Sequence, residues 1–269
     1  MKLAAATYSF LWDETAESVI DLMHKNGFKG IELCISQPMF DLDQYRPGMY
    51  RDLKKRMDGY GMKIINILIP SMDVNIASTT PEMRKMTVDL FKRLADVSME
   101  FEAEMMMTFP GRCSPLLPPK FEVIYEHCLE GHRQILDYTR YTDLTVAIET
   151  IPGKFLGAVD DLKKMVQDIN NPRFGMVYDA ANLGSEDPAK KLRDVKDCVK
   201  LLHLSDTKRG EWKHDALGKG DIDYKAYVEA AVEIGYDGYL VLEVINDRGI
   251  IGFTESVQRL EETGIKFGR

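Results

Sequence analysis

Eight short runs of apolar and β-branched residues alternate with longer segments of helical period, and this alternation limits the fold more than any other feature of the chain. Parallel strands need a crossover, usually a helix, between one strand and the next, so the alternation predicts a parallel sheet. Eight such units are the number that closes an α/β barrel of the (β/α)8 or TIM type. The predicted strands span residues 2–8, 30–34, 62–68, 104–108, 145–150, 174–179, 201–205 and 239–244.

The predicted barrel takes up the chain as a single domain, residues 1–269. A TIM barrel commonly needs about 250 residues, and no composition shift or Ser/Pro-rich linker divides this sequence. A doubly wound sheet is the alternative for alternating strands and helices. Against it, no GxGxxG motif follows the first predicted strand, where a dinucleotide-binding fold places its phosphate loop.

The segment PEMRKMTVDLFKRLADV, after the third predicted strand, shows the helical period clearly. Pro81 suits the first position of a helix, because a backbone N–H at that position has no partner within the helix. Met86, Leu90 and Leu94 recur at helical spacing, and we therefore predict that they form the buried face of this helix.

The composition limits the partners of the chain. A formal net charge of −8, from 43 acidic and 35 basic residues, argues against nucleic acid, because backbone binding relies on clustered Lys and Arg. No apolar stretch approaches about 18 residues, so we expect no membrane partner and a cytoplasmic location. The four cysteines include no CxxC pair, which favours reduced thiols over a disulfide framework.

Polar side chains stand at the ends of the last four predicted strands. Glu149 ends TVAIE, Asp179 ends GMVYD, His203 and Asp206 belong to LLHLSD, and Glu243 follows YLVL. In a TIM barrel the carboxyl ends of the strands meet at one mouth, which carries the functional groups. Singly, each acid could cap the next helix and the histidine could be a core residue. Together they predict a metal site, because coordination offsets the cost of burying carboxylates.

Three carboxylates and one imidazole form a hard, oxygen-rich ligand set without a thiolate. Such a set favours a divalent metal, with Mn²⁺ expected first and Mg²⁺, Co²⁺ and Zn²⁺ as alternatives. The three negative charges of the carboxylates nearly balance a divalent cation. The predicted site therefore suits an uncharged sugar or polyol as substrate.

Five segments of the second half occur in a fixed order at the predicted strand ends and loops: VAIET, GMVYDAANLG, LLHLSDTKRG, HDALGKGDIDY and GYDGYLVLEV. In these segments the chain resembles the xylose-isomerase-like TIM-barrel superfamily. This superfamily includes sugar isomerases, ketose 3-epimerases, inosose dehydratases and the endonuclease IV class. The resemblance covers most of the chain, is specific in the second half, and implies an enzyme of carbohydrate metabolism.

The ketose 3-epimerases are similar in their ligand pattern, which falls here on Glu149, Asp179, His203 and Glu243. The resemblance implies that Glu149 and Glu243 are also the catalytic acid/base pair. They would remove a proton beside the ketone and return one, through a metal-bound ene-diolate. The implied function is a divalent-metal-dependent isomerase or epimerase of a ketose or keto-polyol, with a homodimer or homotetramer as the assembly.

Several other residues are predicted to contact the substrate. The resemblance gives this role to Arg209, six residues after the histidine. Asn182 stands where the epimerases have the histidine of a D-x-x-H motif, which leaves the sugar preference open. His214 has either a substrate-binding or general acid role, or a structural role in its loop. The first four loops carry further candidates, namely Trp12, Glu32, Asn66, Ser71 and Arg112.

Other functions are alternatives at this stage. The same site would serve an inosose-type dehydratase, and a catalytically silent barrel would bind a sugar without turnover. An endonuclease IV-like nuclease needs additional zinc ligands, but Ile69, Phe109, Asn182 and Trp212 stand where these are expected. The GKG sequence at 218–220 would allow a phosphorylated substrate if it cradles a phosphate, although such a triplet more often forms a tight turn.

Overall fold

The structure, a computed structural model, describes residues 1–70, 74–152, 155–246 and 248–268 of the chain. In this part of the chain eight parallel strands form a closed barrel, in which consecutive strands are neighbours and the last strand pairs with the first. An α-helix follows each strand in the sequence. The fold is therefore the single-domain (β/α)8 barrel that the alternation predicts.

The strands and helices have the following bounds. The strands are β1 (Lys2–Ala6), β2 (Gly30–Cys34), β3 (Lys63–Leu68), β4 (Met105–Thr108), β5 (Thr145–Glu149), β6 (Phe174–Asp179), β7 (Val199–Leu204) and β8 (Tyr239–Leu242). The helices are α1 (Ala16–Lys25), α2 (Arg51–Gly59), α3 (Pro81–Glu100), α4 (Phe121–Tyr138), α5 (Val159–Ile169), α6 (Pro188–Val195), α7 (Tyr224–Glu233) and α8 (Ile250–Glu261). Among the described residues, no helix is both long and apolar enough to cross a bilayer.

All eight predicted strands are present; β2 and β6 have the predicted bounds, and the ends of the other strands differ by one or two residues. Strand β1 stops at Ala6 because the chain turns into a short 3-10 helix at Tyr8–Phe10. The Thr7 hydroxyl oxygen accepts a hydrogen bond from the Cys34 N–H at 2.9 Å and so joins the turn to β2. Glu243 lies just beyond β8, although its N–H still donates to the Leu204 carbonyl at 3.2 Å.

Helix α3 begins at Pro81 as predicted, but part of its predicted buried face is wrong. Leu94 is fully buried, whereas Met86 is 48% exposed. The buried face of the helix includes Val88 and Phe91. An α-helix turns by about 100° per residue, so Met86, two residues before Val88, lies on nearly the opposite side. Leu90 is half-buried at the edge of this face.

A buried histidine links helix α4 to the barrel. The His132 side chain is fully buried, with Nδ1 2.8 Å from the Cys128 carbonyl oxygen and Nε2 3.0 Å from the Thr108 hydroxyl. Burial lowers the pKa of His132 to about 4, although the hydrogen bond to the Cys128 carbonyl opposes this shift. His132 is therefore neutral at neutral pH, where it contributes to the packing between α4 and the strands.

Candidate metal and active site

Four of the predicted residues meet at the carboxyl end of the barrel. Glu149 ends β5, Asp179 ends β6, His203 lies in β7 and Glu243 follows β8. One donor atom from each side chain can be chosen so that all four atoms lie within 4.8 Å of one another, and all four residues are buried. The structure thus brings three carboxylates and one imidazole into a compact cluster.

The parallel register explains why these side chains meet. Asp179 pairs with His203 across β6 and β7, and His203 pairs with Val241 across β7 and β8. Residues paired in this way point to the same face of the sheet, and residues two apart along a strand do so as well. Glu243, two residues after Val241, therefore shares the inner face with His203.

The two nitrogens of His203 have different neighbours. Nδ1 lies 3.2 Å from Glu243 Oε2 and 3.3 Å from Glu149 Oε1, so it faces the carboxylates of the cluster. Nε2 lies 2.8 Å from Oε2 of Glu32, a buried residue of β2 on the other side of the ring. Burial alone would lower the pKa of His203, but the charges of Glu32 and Glu243 raise it well above the usual value.

The three carboxylates of the cluster have different proton affinities. Burial raises the pKa of Glu149 to about 8, and the nearby charge of Glu243 adds to this effect. Burial also raises the pKa of Asp179 to about 6, against the opposing effect of His214. Burial acts in the same direction on Glu243, but His214 and His203 lower the pKa of that carboxyl below its usual range.

Two carboxylate oxygens of the cluster are available to coordinate a cation. Glu149 Oε1 and Asp179 Oδ2 are buried and lie 3.3 Å from His203 Nδ1 and 3.6 Å from His214 Nδ1, respectively, but neither oxygen accepts a hydrogen bond of good geometry from the described residues. A buried carboxylate oxygen without a partner costs free energy, and coordination of a divalent ion would remove this cost. The donor set and these two oxygens together therefore suit a divalent metal ion.

His214 lies beside the cluster, on the loop between β7 and α7. Its Nδ1 is 3.0 Å from the Ser205 hydroxyl, 3.2 Å from Glu243 Oε2 and 3.6 Å from Asp179 Oδ2. Burial alone would lower the pKa of His214, but the carboxylates of Glu243 and Asp179 raise it to about 9. The position places the His214 imidazole next to two of the predicted metal ligands.

The GKG triplet helps to hold this loop. The Gly218 N–H donates to Asp206 Oδ2 at 2.8 Å, and a Cβ atom on Gly220 would lie only 2.4 Å from Asp206 Oδ1. Asp206 also pairs through its backbone with Asp215, the neighbour of His214. The triplet therefore forms a tight turn around the Asp206 carboxylate. This carboxylate accepts the hydrogen bond of the Gly218 N–H, which is then not available to a phosphate.

Asn182 is buried near the mouth and has two partners. Its Nδ2 donates to the Thr150 carbonyl at 3.1 Å, and its Oδ1 accepts a hydrogen bond from the Trp212 indole N–H at 2.8 Å. Trp212 is 48% exposed and belongs to the same loop as His214. No pattern in the sequence indicates this pair, because 29 intervening residues separate two side chains that only the closed barrel brings together.

The remaining predicted substrate contacts lie in three different settings. Trp12 is 67% exposed, on the loop after β1. Arg209 is exposed on the loop after β7, and its backbone N–H donates to Asp221 Oδ2 at 2.9 Å. Asn66 is fully buried and donates to Glu32 Oε2 at 2.7 Å. Ser71, also considered from the sequence, lies outside the described residues.

Arg112 and the two apolar residues at predicted nuclease positions lie on the loops after β3 and β4. The Arg112 N–H donates to Asn75 Oδ1 at 3.0 Å, which joins these two loops. Ile69 and Phe109 are buried apolar side chains, 4% and 5% exposed. They offer no zinc-binding atom where an endonuclease IV-like site needs one.

Comparison with known proteins places the chain in a family. The xylose isomerase-like TIM barrel family matches residues 20–266. A fructoselysine 3-epimerase of Escherichia coli O157:H7 is 22% identical over 226 residues, which cover 81% of this chain and 82% of that protein. A solved D-tagatose 3-epimerase-like protein is 22% identical, with a TM-score of 0.87, and the match covers 98% of this chain and 97% of that one.

A second solved structure carries a different activity in its name. It is the probable 3-DHS dehydratase AsbF from Bacillus anthracis, which is 15% identical to this chain with a TM-score of 0.80. The match covers 97% of this chain and 99% of that one. Both structural likenesses establish the shared fold, and the family match extends over most of the sequence. The chain belongs to the xylose isomerase-like TIM barrel family.

Proposed function

We propose that this chain is a divalent-metal-dependent sugar isomerase or epimerase that acts on a ketose or keto-polyol. The observation that carries the proposal is the buried cluster of three carboxylates and one imidazole, in which two carboxylate oxygens have no hydrogen-bond partner among the described residues. The fructoselysine 3-epimerase and the D-tagatose 3-epimerase-like protein, which share this fold or sequence family, support a sugar as substrate.

Glu149, Asp179, His203 and Glu243 would hold the metal ion in this proposal. Their hard donor set favours Mn²⁺, with Mg²⁺, Co²⁺ and Zn²⁺ as alternatives. When bound, the ion would act as a Lewis acid that stabilises negative charge on the sugar oxygens. The three carboxylates nearly balance the charge of the ion, which suits an uncharged sugar.

Glu149 and Glu243 would move the proton. One carboxylate removes the proton from the carbon beside the ketone, which leaves an ene-diolate of the sugar. The other carboxyl group returns a proton to the opposite face of that carbon, and the stereocentre is inverted. Both side chains are buried, which limits the access of bulk water to the two carboxyl groups. An isomerase would use the same removal but return the proton to the neighbouring carbon.

Other residues at the mouth would bind the sugar. His214, beside Glu243 and Asp179, is placed to donate a hydrogen bond or a proton to a sugar oxygen. Asn182 donates to Thr150 through its Nδ2, and its second amide hydrogen, which has no partner among the described residues, would contact a sugar hydroxyl. Trp12 and Arg209 are exposed on two different loops and would contact the outer part of the substrate.

A dehydratase is the second candidate, because a structure with TM-score 0.80 carries that activity in its name. The first step is the same removal of a proton beside the ketone. Instead of receiving a proton on the same carbon, the ene-diolate then expels the hydroxyl group of the adjacent carbon as water. His214 would supply the proton to that hydroxyl. A barrel that binds a sugar without turnover is the remaining alternative.

Mass spectrometry in D₂O distinguishes these functions. The purified chain with Mn²⁺ is incubated with ketoses, ketose phosphates and inososes, and the products are separated and weighed. A sugar of changed configuration that gains one deuterium supports proton transfer by the glutamates. Loss of water supports the dehydratase. Binding without any product from the whole panel would contradict the proposed catalysis and favour the silent sugar-binding barrel.

A further inference from the structure

Glu32 has a position in the barrel that its predicted role as a substrate contact does not explain. The residue is fully buried in the middle of β2. Its Oε2 lies 2.8 Å from His203 Nε2 and also accepts a hydrogen bond from Asn66 Nδ2 at 2.7 Å. One carboxylate oxygen therefore binds an imidazole from β7 and an amide from β3.

We infer that Glu32 is a positioning residue, which fixes the orientation of His203 so that its Nδ1 faces the metal site; the inference rests on the proposed function. The N–H at Nε2 donates to Glu32, and Nδ1 then lies 3.2 and 3.3 Å from Glu243 and Glu149. A histidine ligand is commonly oriented in this way by a carboxylate on its other nitrogen. Asn66 has the role of holding Glu32 in place.

The cost of burying Glu32 supports this role. Its second oxygen, Oε1, is buried and has no hydrogen-bond partner among the described residues. A glutamine would fill the same volume without the desolvation cost of a carboxylate. The contact with His203 explains why a carboxylate is present at this position. When a carboxylate accepts a hydrogen bond from one N–H of an imidazole, the other ring nitrogen becomes a stronger metal ligand.

The test is the dissociation constant of Mn²⁺, measured by electron paramagnetic resonance of the free ion in wild type and in Glu32→Gln. Loss of such a partner commonly weakens metal binding by about 10- to 100-fold, and we expect this range for the variant. The control is Glu100→Gln. Glu100 is a carboxylate of α3 that accepts hydrogen bonds from the Tyr45 hydroxyl at 2.8 Å and the Tyr50 N–H at 2.9 Å. The control should lower the stability of the fold and leave the Mn²⁺ constant unchanged.

A double-mutant cycle separates positioning from a general charge effect. If Glu32 acts through the imidazole, Glu32→Gln should weaken Mn²⁺ binding no further when His203 is already alanine. An equal loss in both backgrounds, or no loss in the single variant, would overturn the inference. If Glu32→Gln does not fold, Asn66→Ala is tested in its place. We expect this variant to weaken Mn²⁺ binding by a smaller factor than Glu32→Gln, and an unchanged Mn²⁺ dissociation constant would overturn the inference. A wild-type chain that binds none of Mn²⁺, Mg²⁺, Co²⁺ and Zn²⁺ would instead refute the proposed metal-dependent function.

Discussion

The buried His132 makes a quantitative prediction about acid stability. Its pKa is about 4 in the folded chain, against an ordinary value of 6.5. Between these values the unfolded chain binds more protons than the folded one, so stability falls as the pH drops below 6.5 and levels off below pH 4. Applying the linkage relation to these two values gives a loss of about 2 kcal/mol between pH 8 and pH 5, and about 3 kcal/mol once both states are protonated.

Urea unfolding at pH 8 and at pH 5 measures this loss, with a chelator present to remove metal effects. The matched variant is His132→Gln, which cannot take up a proton but retains a polar side chain. All other titrating groups are the same in the two proteins, so the difference between their pH dependences isolates His132. We expect the wild type to lose about 2 kcal/mol more than the variant. Equal losses in the two proteins would refute the assignment of a low pKa to His132.

Three further predictions concern the candidate site. Glu149→Gln and Glu243→Gln should each lower kcat in a coupled sugar assay by about 10²- to 10⁴-fold, because a general base typically contributes that much, and near-normal turnover would exclude the role. His203→Ala should lose Mn²⁺ on gel filtration, as read by elemental analysis, whereas His24→Ala, at a half-buried histidine of α1 stacked on Tyr60, should retain it. Gly220→Ala should lower the unfolding free energy by about 1–3 kcal/mol in urea titrations, because its Cβ would lie 2.3 Å from the Thr207 carbonyl oxygen; an unchanged value would show that the turn adapts.

The strand order and the barrel could be predicted because they depend on periodicity and chain length alone. Runs such as those ending at Glu149 and Asp179 are short, apolar and separated by helical segments. Eight such strands are the number that closes a parallel sheet into a TIM barrel. The buried face of α3 was less predictable. Met86 and Leu94 have the same apolar character in the sequence, and only the orientation of the helix on the barrel decides which is buried.

The cluster of ligand residues could be predicted in outline because parallel strands place their carboxyl ends at one mouth. The partners around the cluster could not. The contact of Glu32 with His203 crosses the barrel from β2 to β7, and its existence depends on side-chain rotamers and on the stagger of the strands. The contact of Trp212 with Asn182 depends on the path of a loop. Neither leaves a periodic pattern in a single sequence.

Anomalous diffraction from crystals soaked in Mn²⁺, with data collected at the manganese absorption edge, tests the four-residue metal site most directly. We expect a strong peak within coordination distance of Glu149, Asp179, His203 and Glu243. A control soak in Ca²⁺ gives no manganese signal at that position. A peak at another location, or full occupancy in His203→Ala crystals, would contradict the claim that these four side chains form the metal site.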